Sequence, residues 1–209
     1  MTCAYALPSR SSCSPSTTAR ASFSTHSARA GGGGAHVEPA RSAENPVGVK
    51  SGPEVTPWDV LELPATLNPE KSPGRLTFIV RMGTGRISEI LTVIVRTIRD
   101  AKVPVVWLCD PMPENTFSTP GGIKTRSLPV IFQEIEQLVE MVAGHGGWPG
   151  GLHLETTPDL VIERTSLLPG EDVIEFCDYR SACDPRLNAD QAVMAVETFL
   201  AAHATIRKE

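Results

Sequence analysis

The sequence predicts an α/β fold made of four consecutive strand–helix units with a parallel sheet. Four apolar runs each end in a polar residue, and stretches of helical periodicity separate them: Val47 to Lys50, Leu76 to Arg81, Val105 to Asp110 and Leu152 to Glu155. Parallel α/β folds carry their active sites at the carboxyl ends of the strands. We therefore expect the functional groups to lie along that edge of the sheet.

Residues 1–34 differ in composition from the rest of the chain. They are rich in Ser, Thr, Ala and Arg, contain no acidic residue, and end in the glycine run Gly31 to Gly34. Such a segment is predicted to be a disordered leader, which leaves 35–209 as the folded body. An Arg-rich, acid-poor leader is also typical of organellar transit peptides. The expected location is the cytoplasm, or a plastid or other organelle if the leader is a transit peptide.

The first unit combines a short strand with a short helix. Val47 to Lys50 is the strand, and Gly52 follows it as a stop signal. Thr56 is predicted to cap the next helix, because proline at position 57 suits the first helical residue. Pro64 is predicted to interrupt that helix, since proline cannot donate the backbone hydrogen bond that a helix interior requires.

The second and third units follow the same order. The segment 74–83 is predicted as a strand, with a helix from Gly85 to Lys102 after it. The third strand, 105–110, leads into a long loop from Pro111 to Ser127. A helix then follows, because apolar residues recur at helical spacing: Ile131, Ile135, Leu138 and Val142.

The fourth unit begins after a glycine-rich turn from Gly144 to Gly151. Gly151 to Glu155 is predicted as the strand. Asn188 or Asp190 can cap the last helix, since both side chains accept hydrogen bonds from free backbone N–H groups. The apolar face of that helix is expected to consist of Val193, Val196, Phe199 and Leu200.

Four such units amount to half of a TIM barrel, an architecture that typically needs roughly 250 residues for its eight units. An open sheet of this kind leaves two strand edges and part of its inner face uncovered. We therefore expect a homo- or hetero-oligomer in which a further polypeptide completes the barrel.

The composition excludes several classes of function. A net charge of −5 offers no broad basic surface for nucleic acid, and no apolar run approaches the ~20 residues of a membrane span. Five cysteines without paired spacing support neither a disulfide framework nor a zinc ribbon. We expect a protein that binds neither nucleic acid nor membranes.

Six motifs resemble one enzyme family in order and spacing. They are Asn45 to Pro53, Pro73 to Gly83, Trp107 to Met112, Gly122 to Arg126, Pro149 to Glu155 and Cys183 to Asn188. Together they are similar to the class II 3-deoxy-D-arabino-heptulosonate 7-phosphate (DAHP) synthases. The resemblance covers about residues 35 to 203 and corresponds to the C-terminal half of that family's barrel.

The resemblance implies a 3-deoxy-7-phosphoheptulonate synthase, a transferase. Its family condenses phosphoenolpyruvate with erythrose 4-phosphate in the first step of the shikimate pathway, which leads to chorismate and the aromatic amino acids. Lys50 and Arg81 match the family's cations for phosphoenolpyruvate. Arginine and lysine suit this role, since both donate charged hydrogen bonds to phosphate oxygens.

The family also implies a divalent metal, Mn²⁺ or Co²⁺, held by one Cys, one His and two carboxylates. Glu155 and Asp184 match the carboxylates, whereas Pro113 stands where the family has its histidine and the cysteine has no counterpart. Glu114 could supply a third oxygen ligand or be an ordinary loop carboxylate. His153, two residues before Glu155, is expected to support the site or the core rather than bind metal.

Three further cations have two interpretations each. Lys124, Arg126 and Arg186 could contact an anionic substrate, or they could hold their loops through carboxylate pairs. Two hypotheses for the whole chain therefore remain. It is a shortened synthase that needs a second polypeptide, or it is a non-catalytic remnant or regulatory partner subunit of a full-length synthase.

Overall fold

The computed structural model describes residues 2–6, 20–23, 37–161, 163–166, 179–181 and 184–206. The strands are β1 Thr2–Ala6, β2 Arg20–Phe23, β3 Val47–Ser51, β4 Leu76–Val80, β5 Val105–Cys109, β6 Thr116–Ser118, β7 Lys124–Arg126 and β8 Trp148–Leu152. The main sheet has six strands in the order β2-β1-β3-β4-β5-β8, and β6 and β7 form a separate ribbon. The helices are α1 Val37–Arg41, α2 Pro57–Leu67, α3 Ile87–Asp100, α4 Leu128–Gly144 and α5 Ala189–Ile206.

The four predicted strand–helix units are confirmed. β3, β4, β5 and β8 are parallel neighbours in chain order, and a helix follows each of them. Alternate strand residues such as Phe78 and Trp107, whose rings stack with centroids 5.3 Å apart, join the helices in one hydrophobic core. Lys50, Ile79 and Leu108 are partners in register and, by alternation, belong to the opposite face. A sheet with its core on one face is consistent with part of a barrel wall.

Two short strands lie within the segment that the sequence predicts to be a disordered leader. β1 pairs antiparallel with β2, and β1 also pairs antiparallel with the edge of β3. The parallel edge of β3 offers backbone groups with which an extended segment can pair. The division of the chain into a leader and a folded body stays a prediction. The rest of 1–34 lies outside the described residues.

The helix of the first strand–helix unit, α2, continues through Pro64, so the predicted interruption is wrong. α2 runs from Pro57 to Leu67, and Thr56 caps it as predicted through a capping box with Asp59. Val60, Pro64 and Leu67 are buried on one face. Packing of that face stabilises the helix beyond the residue that lacks an N–H donor.

The fourth strand begins and ends earlier than the sequence predicts. β8 is Trp148–Leu152, so the second half of the predicted glycine turn is strand. Gly150 allows a close approach of the two strands, since a Cβ there would overlap with Cγ1 of Val106. The register between β5 and β8 shifts at Trp107 and Leu108.

Two further differences concern the third and fourth units. The loop from Pro111 to Ser127 contains the antiparallel pair β6–β7. α4 buries its predicted apolar residues, and Asn188 caps α5 by accepting from Gln191 N–H at 3.0 Å. The predicted face of α5 is wrong, because three of its four residues are exposed and Ala195 is buried instead. Among the described helices none is long and apolar enough to cross a membrane.

Candidate active site at the carboxyl ends of the parallel strands

The parallel ladder continues one residue beyond each strand and aligns three candidate residues. Arg81 N–H donates to Ser51 O at 2.9 Å, Asp110 N–H to Val80 O at 2.7 Å, and His153 N–H to Cys109 O at 2.8 Å. Arg81, Asp110 and His153 therefore follow neighbouring strands at one edge. This backbone geometry is the reason for treating the carboxyl ends of these strands as the candidate active site.

Lys50 forms a short ion pair across the sheet. Its Nζ lies 2.6 Å from Oδ2 of Asp110, and the two side chains are 11% and 0% exposed. The other carboxylate oxygen of Asp110, Oδ1, is buried and has no hydrogen-bond partner among the described residues. A buried pair of this kind fixes the ammonium group, because either charge alone would be costly to bury.

His153 lies beside the same pair. Its Nδ1 is 3.7 Å from Oδ2 of Asp110. Burial lowers the pKa of His153 below its ordinary value, and the neighbouring Lys50 ammonium lowers it further. Asp110 and Glu155 act in the opposite direction. This shared field indicates that Lys50, Asp110, His153 and Glu155 border a common region.

Arg81 is held more loosely than Lys50. Its Nη1 lies 3.4 Å from Oε1 of Glu114, a loop carboxylate whose side chain is 34% exposed. The Nε of Arg81 is buried and has no hydrogen-bond partner within the described part of the chain. Gly52 lies against the guanidinium, since a Cβ there would be 3.4 Å from Nη2. The guanidinium thus keeps donor capacity that an anion could use.

Arg126 and Lys124 both pair with carboxylates. Arg126 is buried, and its Nη1 donates to Oε2 of Glu155 at 2.7 Å and to Pro185 O at 2.8 Å. Lys124 Nζ lies 3.3 Å from Oδ1 of Asp184 in an exposed pair. These contacts have the geometry of the loop-holding interpretation. Arg186 is exposed, and its backbone N–H donates to Glu163.

Within the described part of the chain, the predicted metal donors are the carboxylates of Glu155 and Asp184. Glu155 and Asp184 are each engaged by a cation, and Pro113 offers no side-chain donor. Among the described residues, no group of three His, Cys, Asp or Glu side chains is arranged to hold a metal ion. Cys183, which opens the last motif, lies outside these residues.

The sequence interpretation missed a buried carboxylate on α4. Glu134 is fully buried, and its Oε1 accepts from Met82 N–H at 3.1 Å and Gly83 N–H at 2.9 Å. Burial raises the pKa of Glu134 to about 7, although those hydrogen bonds act against it. A signal was available, since Glu134 lies three residues after Ile131 and therefore on the buried face of the helix.

The sequence interpretation also missed two neighbouring residues, Glu163 and Arg164. Glu163 organises the segment that carries Asp184. Glu163 accepts hydrogen bonds from the backbone N–H groups of Arg180, Ser181 and Arg186 and from the Ser181 hydroxyl. Burial favours a higher pKa for Glu163, but these bonds outweigh it and lower the pKa. Arg164 next to it is buried, and burial lowers its pKa to about 9. The irregular sequence around these residues gave no periodic signal.

Comparisons with known proteins identify the family. The model of the class-II DAHP synthetase family matches residues 26–200. A probable phospho-2-dehydro-3-deoxyheptonate aldolase of Pseudomonas fluorescens is 44% identical over 163 residues, which are 78% of this chain and 40% of that protein. The phospho-2-dehydro-3-deoxyheptonate aldolase of Neurospora crassa is 42% identical over 162 residues, 76% of this chain and 34% of that protein. The chain therefore belongs to the class II DAHP synthase family, as its six motifs predict.

A third relative leads to the same family and the same difference in length. The phospho-2-dehydro-3-deoxyheptonate aldolase of Streptomyces coelicolor is 40% identical over 163 residues, 76% of this chain and 36% of that protein. This chain thus spans only about a third to two fifths of the curated relatives it matches.

Proposed function

We propose that this chain supplies the phosphoenolpyruvate-binding part of a class II DAHP synthase active site. The reaction would be the family's condensation of phosphoenolpyruvate with erythrose 4-phosphate, the first step toward chorismate. The observation that carries the proposal is the pair of cations at the carboxyl ends of adjacent strands, Lys50 in the last two residues of β3 and Arg81 directly after β4. The unsatisfied Nε of Arg81 supports it, because a buried donor needs an acceptor.

The two cations would have different duties. Lys50 is locked by buried Asp110, so it would offer a charge at a fixed position. Arg81 contacts Glu114 at 3.4 Å on a partly exposed loop, and pairs of this kind contribute little to stability. A phosphate or carboxylate group could therefore replace Glu114 and engage the guanidinium through two parallel hydrogen bonds.

For the divalent metal, we propose that this chain contributes only two carboxylate ligands. Glu155 and Asp184 would take part, and both would have to leave their cation partners Arg126 and Lys124. The missing ligands would come from the polypeptide that completes the barrel. When bound, the metal would polarise the aldehyde of the acceptor substrate.

A non-catalytic partner subunit is the second candidate. It is favoured by the ion pairs that occupy Glu155 and Asp184, and by proline at position 113. In that case the chain would still bind phosphoenolpyruvate or associate with a full-length synthase, but it would add no turnover.

Calorimetric titration of the full chain with phosphoenolpyruvate tests the binding proposal. Lys50→Met and Arg81→Gln should each weaken binding at least about tenfold, since each removes a charged hydrogen-bond donor. Lys102→Met and Arg96→Gln are matched controls, because both residues are exposed and lie away from the carboxyl ends. Binding that survives both site substitutions would contradict the proposal.

Turnover separates the two candidates. Phosphoenolpyruvate consumption would be followed with erythrose 4-phosphate and Mn²⁺ or Co²⁺, for the chain alone and with a polypeptide that supplies the remainder of the barrel. An active mixture whose rate falls with Arg81→Gln supports the synthase. Binding without any turnover in the mixture supports the partner subunit.

A further inference from the structure

We infer that Glu134 is a positioning residue that holds Arg81 in place for an anionic substrate. The inference rests on the proposed function of Arg81. Glu134 itself is fully buried beneath the site and does not face solvent. It acts through two contacts, one with the turn that carries Arg81 and one with the loop that opposes it.

The first contact fixes the turn after β4. Oε1 of Glu134 accepts from the N–H groups of Met82 and Gly83, the two residues that follow Arg81, at 3.1 and 2.9 Å. Gly83 has φ +74°, a conformation that a side chain would strain. A carboxylate accepting two successive N–H groups holds such a turn in one arrangement.

The second contact fixes the opposing loop. Oε2 of Glu134 accepts from Nδ2 of Asn115 at 2.5 Å, and Asn115 Nδ2 also donates to Pro111 O at 2.8 Å. Asn115 follows Glu114, the ion-pair partner of Arg81. The turn and the loop are in contact, because a Cβ at Gly83 would lie 3.3 Å from Cβ of Glu114. One buried carboxylate therefore sets the distance between Arg81 and its counter-ion.

The cost of burying this charge argues for a specific role. Within the part of the chain that the structure describes, no Lys or Arg forms an ion pair with Glu134. A buried carboxylate without a cation is costly unless hydrogen bonds compensate for it, and here all three come from the two segments around Arg81. An apolar residue would pack on α4 without that cost.

Two substitutions remove the loop contact and leave the turn contact in place. In Glu134→Gln the amide oxygen can still accept from Met82 and Gly83, but its NH₂ group then faces the NH₂ group of Asn115, so only the loop contact is lost. Asn115→Ala removes the same contact from the other side. Glu136→Gln is the matched control, since that residue lies on the exposed face of α4.

Phosphoenolpyruvate affinity of the full chain is the first readout. Glu134→Gln and Asn115→Ala should each weaken binding about three- to tenfold, and neither should weaken it further in a chain that carries Arg81→Gln. Such dependence on Arg81 is not expected from a general loss of stability. Affinity equal to that of Glu136→Gln, or equal losses with and without Arg81, would overturn the inference.

A readout without substrate keeps the inference distinct from the proposed function. Amide hydrogen exchange at Met82 and Gly83 should be faster in Glu134→Ala than in Glu136→Ala, whereas exchange at the α3 amides of Val95 and Ile98 should stay unchanged. If no form of the chain binds phosphoenolpyruvate, the proposed function fails, and this exchange pattern alone decides whether Glu134 holds the turn. Unchanged exchange at Met82 and Gly83 would refute the positioning role.

Discussion

At the scale of single residues, the candidate site contains ion pairs of very different depth. Lys50–Asp110 is a 2.6 Å pair with a fully buried carboxylate, whereas Lys124–Asp184 is a 3.3 Å pair with both partners about half exposed. Removing one partner of a buried ion pair lowers stability strongly, whereas removing one partner of an exposed pair hardly changes it. Stability measurements should therefore distinguish the two pairs.

Removing the carboxylate charge from each pair tests this difference. Asp110→Asn should lower the free energy of unfolding by about 3 kcal/mol, because Lys50 is left partly buried without its counter-ion. Asp184→Asn should lower it by less than about 1 kcal/mol, since solvent replaces the exposed partner. Urea denaturation of both variants measures the two values. Similar losses would show that burial does not govern these pairs.

The pKa of Glu134 gives stability a specific dependence on pH. Burial raises that pKa from 4.5 to about 7 against the opposing hydrogen bonds from Met82, Gly83 and Asn115. Asp110, which follows β5, also raises it, and Cys109 interacts with Glu134 as well. The folded state then holds a proton that the unfolded state releases between these pH values. Stability from this group is therefore complete below pH 4.5 and is lost as the pH rises through about 7.

Comparison with Glu134→Gln isolates that contribution, because every other group titrates in both proteins. Between pH 5 and 7.5 the wild-type chain should lose stability relative to the variant, by at most about 3 kcal/mol. Denaturant midpoints measured across this range provide the test. A constant difference between the two proteins would mean that Glu134 does not titrate there.

Which site residues could be predicted depends on how each one reveals itself in the sequence. Lys50 and Arg81 are visible as single cations at the ends of apolar runs, and their positions follow from strand alternation. Glu134 accepts hydrogen bonds from Met82 and Gly83, which lie about 50 residues earlier in the chain, and no local pattern encodes that contact. Glu163 likewise binds backbone groups of a distant irregular segment.

At the scale of elements, β8 illustrates a signal with two meanings. Glycines at 150 and 151 predict a turn by their conformational freedom, yet Gly150 lies in a strand. That strand position requires glycine because a side chain has no room there. Pro64 is similar, since its tendency to break helices is overridden by the buried face of α2. Sequence periodicity predicted where elements lie, while packing determined where these two begin and end.

Gly150→Ala tests the packing explanation for β8. The new Cβ would overlap with Cγ1 of Val106 in the neighbouring strand, which should lower the free energy of unfolding by about 1–3 kcal/mol. In a chain that carries Val106→Ala, the contacting methyl group is absent and the same substitution should cost markedly less. Gly144→Ala is the control, since a Cβ there has no neighbour within 4 Å. Thermal unfolding of the four variants and the wild type gives the comparison.

At the scale of the whole molecule, the four parallel strands are consistent with the predicted half of a barrel, and the barrel itself remains a prediction. α5 illustrates why sequence alone was insufficient. Its apolar residues fit a helix that is covered on more than one side, but in this chain Ala195 is buried while four larger apolar side chains are exposed. They are Val193, Met194, Val196 and Leu200, which are 45–58% exposed. Exposed apolar surface of this kind is typical of an interface.

We therefore expect the isolated chain to associate with a second copy of itself rather than remain a monomer of 22.4 kDa. Light scattering over a range of concentrations should give a larger mass for the wild type. Leu200→Glu should shift it toward the monomer, because a charge in a desolvated contact is costly. Val93→Glu, which places the same charge at an exposed apolar position of α3, should leave the mass unchanged. A wild-type chain that stays monomeric at every concentration would mean that this face of α5 is stable in water, and association through it would be ruled out.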